Sequence, residues 1–312
     1  MTLLKNFSLK PGDVIDVIAT TPGIEIADLV KQIDKLQRVF DFLELRANFN
    51  IEALLAGAKF FCDDATKVRQ NELIKALSND NKAIWFFKGG YGSAKLLAEL
   101  KNYQQYFKPK ILIGYSDLSS IHSWVNKFMH WPSIHASTLN EYLNKDGGDE
   151  LQILKNLLFN SKETLVYDSL VPLNEAAKQE SLEINGKITG GTLQVLQSGI
   201  GLEWQIDAAD KILFLEEVYD RGVRIERTLT QFSQLGIFNQ TKAIIFGDII
   251  CGDDPQGGQS CNLAINYFAA NIKIPVFTIE NFGHGKQNFP LPLNSECLIT
   301  TKANNFALKF MG

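Results

Sequence analysis

The chain has 312 residues, a formal net charge of −4, 45% hydrophobic residues and 21% charged residues. That composition describes an ordinary globular protein long enough for about two domains. Lys and Arg are scattered without a basic block, which argues against nucleic acid or an anionic membrane as partner. Met1–Asn6 lacks the apolar core of a signal peptide, and no apolar stretch approaches the ~20 residues of a membrane helix. A cytoplasmic location is therefore expected. There the dispersed Cys62, Cys251, Cys261 and Cys297 are expected as core thiols rather than a disulfide framework.

In chain order, Asp13–Ala19 reads as a strand closed by the turn Thr21-Pro22-Gly23. Ile26–Phe40 carries apolar residues at helical spacing, and Phe42–Leu45 reads as a second strand. A helix over Thr66–Leu77 precedes the continuous apolar run Ala83–Phe87, which suits a parallel strand covered on both faces. The glycine turn Gly89-Gly90-Tyr91-Gly92 and a helical Ala94–Leu100 follow. Ile111–Ile113 then repeats the strand, Gly114-Tyr115-Ser116-Asp117 the turn, and Leu118–Phe128 the helix. Repeated βα units predict an open parallel sheet whose ligands bind beyond the carboxyl ends of the strands. Ser116 and the Gly89–Gly92 turn both fall at such ends.

After about Tyr142 the pattern changes. A short helix over Leu151–Leu158 and a connecting segment, Val166–Asn174, place a linker at 161–177 between domains at 1–160 and 178–312. The second half opens with a strand and turn at Ser181–Thr189, then Gly190-Gly191-Thr192-Leu193 leading into a helix. Strands are expected at Lys211–Leu215, Ala243–Phe246 and Pro275–Ile279, with a helix over Ile225–Leu235.

A serine at a tight strand-to-helix turn suits a nucleophile elbow, with backbone N–H groups beside it for a developing oxyanion. A Ser or Asp that merely N-caps the helix fits the same four residues, and Leu118 stands where a second glycine is usual. A serine hydroxyl needs a base, ordinarily a histidine oriented by a carboxylate. Of the four histidines, His122 is six residues from Ser116 on the same helix, where a surface or packing role is expected. His130 lies in a loop, and His135 could line a cleft. His284, after a strand and flanked by Gly283 and Gly285, is the candidate base. Glu216 and Glu217 end a hydrophobic strand and should point in opposite directions. One can serve a site, while the other faces solvent or pairs with Arg221, Arg224 or Arg227. No closely spaced His/Cys cluster marks a metal site, and no cofactor is called for. The Gly89–Gly92 turn matches neither common phosphate-loop pattern, and a turn donating a backbone N–H to an oxyanion explains it at least as well.

Together these pieces resemble the serine LD-carboxypeptidases that trim murein tetrapeptides, a family that includes microcin-C immunity proteins. The likeness rests on Lys88-Gly89-Gly90-Tyr91-Gly92, Ile113-Gly114-Tyr115-Ser116-Asp117, Gly190-Gly191-Thr192-Leu193, Leu213–Val218 with Arg224–Arg227, and Gly283-His284 with Asn288 and Pro292. Each motif is modest by itself, but five in the right order are specific. The resemblance implies Ser116 as nucleophile, His284 as base and Glu216 as the acid orienting it. It implies an oxyanion hole from the backbone N–H of Asp117 and one from Gly89 or Gly90. It also implies an α/β fold with a Rossmann-like N-terminal domain and parallel sheet, a smaller α/β C-terminal domain, an interdomain cleft and a homodimer acting on a murein tetrapeptide or muropeptide. Three departures bear on substrate choice: Lys88 in place of an Arg, Thr20-Thr21-Pro22 in place of a Pro-Ser turn, and His135-Ala136-Ser137 in place of His-Gly-Pro.

Overall fold

A computed structural model describes residues 7–21, 26–56, 62–144, 148–159, 164–252, 259–302 and 305–310. The chain divides into two compact units, 4–161 and 162–312. In the N-terminal unit, strands β1 (Val14–Ile18), β2 (Arg46–Asn48), β3 (Ala83–Phe86), β4 (Ile111–Gly114) and β5 (Ser133–His135) alternate with helices. The helices are α1 (Ile26–Leu43), α2 (Ile51–Ala56), α3 (Asp63–Ser78), α4 (Leu97–Tyr103), α5 (Ser119–Phe128), α6 (Leu139–Asn144) and α7 (Gly148–Leu158). The strands pair in the order β2-β1-β3-β4-β5, every pair parallel. Every residue of β3 and β4 is buried, which is why their sequences run apolar without alternation.

The strand expected at Phe42–Leu45 is instead the end of α1. Leu36, Phe40 and Leu43 lie on one buried face of that helix. Glu44 then takes a left-handed conformation (φ 58°) and Leu45 N–H donates to Phe40 O at 3.1 Å. That is a helix stop in which backbone geometry outweighs β propensity. The turn at Thr21-Pro22-Gly23 lies partly outside the described residues.

The C-terminal unit holds β6 (Leu165–Pro172), β7 (Glu183–Thr192), β8 (Ile212–Asp220), β9 (Ala243–Cys251), β10 (Val276–Thr278), β11 (Leu291–Leu293), β12 (Glu296–Lys302) and β13 (Asn305–Phe310). Its helices are α8 (Leu193–Ser198), α9 (Gly222–Gln234) and α10 (Ser260–Asn271). Seven strands close a barrel in the order β10-β6-β13-β12-β7-β8-β9. The run β7-β8-β9-β10 is parallel and the remaining pairs antiparallel. Alternation along β8 sorts two cores. Ile212 and Phe214 face the barrel interior with Ile245, Phe277 and Ile299. Leu213 and Leu215 face outward onto Ile225, Leu229 and Phe232 of α9. Two opposed apolar faces explain an unbroken hydrophobic strand.

Three expectations are corrected here. Val166–Asn174 is no connecting segment, because β6 supplies a barrel wall between β10 and β13. The C-terminal half is a mixed barrel, which its short strands, read singly, did not reveal. Cys251 and Cys261 form a disulfide (Cα–Cα 5.9 Å), since the end of β9 meets the start of α10. Cys62 and Cys297 are free.

Just past β6, buried Asn174 links three segments. Its amide donates toward the carbonyls of Ala269, Ile272 and Ile274, and its oxygen accepts N–H from Ala177 and Val276. Leaving such groups unpaired in the interior costs ~1–3 kcal/mol each. Asn174→Ala should therefore lower the unfolding free energy in urea by about 3 kcal/mol. A loss below about 1 kcal/mol would mean that water replaces the amide.

Candidate active site

In the N-terminal unit, β4 ends at Gly114, Tyr115 is extended, and Ser116 turns into a left-handed conformation (φ 65°) before a 3-10 turn leads into α5. A non-glycine residue held there costs ~1–3 kcal/mol, a strain concentrated at functional turns. The packing explains why the turn begins with glycine. A Cβ on Gly114 would lie 2.4 Å from Leu118 Cδ1, so Leu118 fills the space that the missing second glycine would leave. Gly89 lies against the serine, where an added Cβ would sit 3.4 Å from Ser116 Oγ.

Side chains brace the two turns against each other. Asp117 is buried and its Oδ2 accepts Ser93 N–H at 2.7 Å, so the residue after Ser116 holds the end of the glycine turn. Burial pushes its carboxyl up, against the Ser93 and Gly92 amides that favour the charge. Thr21 Oγ1 donates to Gly89 O at 2.8 Å, and Thr20 Oγ1 lies 2.9 Å from Ser93 Oγ. The Thr20-Thr21 pair thus supports the turn. Lys88 is exposed.

His122 is not on the surface. It is fully buried, and its Nε2 lies 2.8 Å from the carbonyl of Gly114, which it can only meet as a donor. Burial lowers its pKa to about 4, so it is neutral and packs behind the elbow. His135 does not line a cleft: it is fully buried, edge-on to Tyr115 with ring centroids 5.4 Å apart.

In the C-terminal unit, Glu216 shares the inward parity of Ile212 and Phe214 on β8 and is fully buried. Its Oε2 lies 2.7 Å from His284 Nδ1, and its Oε1 accepts a short hydrogen bond from Thr192 Oγ1. A carboxylate is an acceptor, so Nδ1 carries the proton and Nε2 keeps its lone pair. The His284 side chain is 15% exposed. Phe282, buried in the barrel core edge-on to Tyr167 at 4.7 Å, anchors the loop. Gly283 N–H donates to Asn288 Oδ1 at 2.9 Å. Glycine is required before the histidine because a Cβ on Gly283 (φ 129°) would sit 2.8 Å from Glu216 Oε2.

The partner glutamate points the other way, but not to solvent or an arginine. Glu217 is buried and accepts N–H from Gln194 at the start of α8 and from Val218, both at 2.8 Å. Arg224 pairs instead with Asp220 at 3.2 Å. The sequence reading also assigned no role to Thr192, although its motif was noted, and missed Asp248. That residue's only signal is a Gly-Asp pair closing the apolar run of β9.

The structure therefore holds a strained serine elbow with a glycine turn against it in one unit, and a buried carboxylate–imidazole pair in the other. These are the components of a serine hydrolase. Residues 15–136 match the family profile described as the LD-carboxypeptidase N-terminal domain, and residues 185–299 match that of the LD-carboxypeptidase C-terminal domain. A provisionally named carboxypeptidase of Rickettsia conorii is 37% identical over 267 residues, covering 85% of this chain and 82% of the relative. The murein tetrapeptide carboxypeptidase of Pseudomonas aeruginosa is 28% identical over 225 residues, 70% of this chain and 73% of its own. The fold is shared with microcin C7 self-immunity protein MccF bound to adenosine monophosphate (TM-score 0.80, 16% identity, covering 100% of this chain and 98% of that one). The chain belongs to the LD-carboxypeptidase family.

Burial pushes the Glu217 carboxyl up to about 7 from its ordinary 4.5. A raised acid pKa means that the folded state holds a proton which the unfolded chain releases. The stabilisation is complete below about pH 4.5 and is lost as pH rises through about 7. Glu217→Gln keeps an acceptor for Gln194 N–H and has nothing to titrate. Between pH 4.5 and 8, wild type should lose up to about 3 kcal/mol of unfolding free energy relative to this variant. Parallel pH profiles for the two proteins would show that Glu217 is not protonated when folded.

Proposed function

We propose that this enzyme hydrolyses the amide joining the L-centre of a diamino acid to a terminal D-alanine in murein tetrapeptides, through Ser116, His284 and Glu216. The observation that carries this reading is the 2.7 Å contact between His284 Nδ1 and buried Glu216, which presents Nε2 as a base. The strained φ of Ser116 supports its role as nucleophile. The scheme requires the Ser116 hydroxyl and His284 Nε2 to come within hydrogen-bond reach of each other when substrate is bound.

In this scheme Ser116 Oγ attacks the D-alanyl amide carbonyl and passes its proton to His284 Nε2. The backbone N–H of Asp117 and that of Gly89 or Gly90 hold the oxyanion. His284 returns the proton to the departing D-alanine nitrogen, and water hydrolyses the acyl-enzyme by the same path in reverse roles. Glu216 fixes the tautomer and stabilises the transient imidazolium. The chemistry calls for no metal or cofactor. The reading includes a Rossmann-like assignment for the parallel sheet, a homodimer and a cytoplasmic site of action on murein fragments. Among the described residues, no helix is long and apolar enough to cross a membrane.

A second substrate class is favoured by one observation: relatives of this fold include MccF bound to glutamyl sulfamoyl guanosine (TM-score 0.78, 18% identity). Under that reading the same residues cleave a peptidyl-nucleotide toxin. Competition between tetrapeptide and a peptidyl nucleotide separates the two.

Ser116→Ala should release no D-alanine and take up no fluorophosphonate, with turnover at least ~10⁴-fold below wild type. His284→Ala should fall comparably, and Glu216→Gln less. Full D-alanine release by Ser116→Ala would exclude the scheme.

A further inference from the structure

The histidine loop is held by a second carboxylate, at a place where the barrel departs from regular register. Along the β8–β9 pair, Leu215 faces Phe246 but Glu217 faces Ile249. Glu216 alone on β8 therefore opposes Gly247 and Asp248 together on β9. One extra residue on one strand is a bulge, and bulges re-aim side chains beside functional sites. Here the bulge sets Asp248 against the segment that carries His284.

The contacts are made at three points along that segment. Asp248 N–H donates to Phe282 O at 2.7 Å. Asp248 Oδ1 accepts Asn281 N–H at 3.1 Å, where Asn281 is itself in a left-handed conformation (φ 68°). Asp248 Oδ2 lies against Gly285, where an added Cβ would sit 2.4 Å from it. Gly247 joins in by absence, since a Cβ there would lie 2.3 Å from Phe282 O. His284 is thus flanked by glycines because a carboxylate occupies each side: Glu216 beside Gly283 and Asp248 beside Gly285.

We propose that Asp248 is the positioning residue of the histidine loop, clamping residues 281–285 so that the His284 imidazole stays seated on Glu216. It touches neither reacting atom and acts through the backbone. Its catalytic consequence rests on the reading of His284 as the base. Its hold on the imidazole does not, and the two can be tested apart.

The chain has only four histidines, so an imidazole ¹⁵N–¹H spectrum of the full-length protein resolves them. The low-field Nδ1–H signal that disappears in His284→Gln reports the bond to Glu216. In Asp248→Asn, whose amide oxygen can still accept Asn281 N–H, this signal should stay sharp and kcat should remain within about threefold of wild type. In Asp248→Ala the signal should broaden or vanish, with kcat for D-alanine release lower by about 10²-fold and KM within about twofold. Asp248→Ser, too short to span to Asn281, serves in the same way if the alanine variant fails to fold. A sharp wild-type signal in a folded alanine or serine variant overturns the proposal. So does a loss confined to KM, which would make Asp248 a substrate contact. If wild type itself released no D-alanine and took no fluorophosphonate, the hydrolase reading would fail while the spectra still judged the clamp.

Discussion

Glu216 is an acidic side chain with no exposed surface, and much of the C-terminal unit is arranged around that fact. An ionised carboxylate buried in a barrel end is tolerable only if both oxygens are met by donors. Thr192, at the end of the neighbouring parallel strand, meets one, and His284 meets the other. The requirement propagates outward. Strand parity must bring residue 216 to the inner face, the following loop must carry an imidazole across the barrel end, and the residue before that imidazole can have no side chain. Each condition is fulfilled by a specific residue. Removing Thr192 or His284 takes away one of these donors to a buried carboxyl group.

The neighbouring Glu217 shows how strongly parity dictates fate. It has the same side chain, lies one position later, and shares the face of Leu213 and Leu215. It is buried on the helix side, where it caps the first turn of α8. Two adjacent glutamates thus do unlike work because the strand pleat turns one toward the barrel end and the other toward a helix N-terminus. Their mutual repulsion, added to burial, helps keep Glu217 protonated near neutrality.

What the sequence disclosed follows the range of the forces involved. Strands β3 and β4 were legible because burial on both faces leaves an unbroken apolar run, and the elbow was legible because a strand, a glycine and a helix adjoin in sequence. The fate of Phe42–Leu45 was not legible. It turned on Glu44 accepting a left-handed backbone, which residue type alone does not announce. The barrel was hidden because closure depends on β6 pairing with β10 and β13, more than a hundred residues away in the chain. The burial of His122, one of the two roles expected for it, and that of His135, expected to line a cleft, were hidden for a related reason. A histidine is polar by composition, yet each lies buried behind the serine turn, His122 by donating to the Gly114 carbonyl and His135 by packing against Tyr115. Asp248 escaped notice because its importance comes from a register shift, which exists only once two strands are laid side by side.

The two halves of the proposed machinery differ in how they are held, and that difference bears on specificity. The imidazole is fixed by buried hydrogen bonds at the end of a closed barrel, where little can shift without exposing a charge. The serine turn is fixed by Asp117 reaching the glycine loop and by Thr20 and Thr21 supporting it from below. Those threonines, and the exposed Lys88 whose carbonyl Thr21 also approaches, are among the positions where this chain departs from the pattern it resembles. A lysine offers a flexible point charge where an arginine would offer a planar fork, so a carboxylate bound there would be attracted without being oriented. Under the proposed function, the proton transfer rests on the imidazole held at the barrel end, while a side chain that meets the substrate from the serine turn can vary without disturbing it.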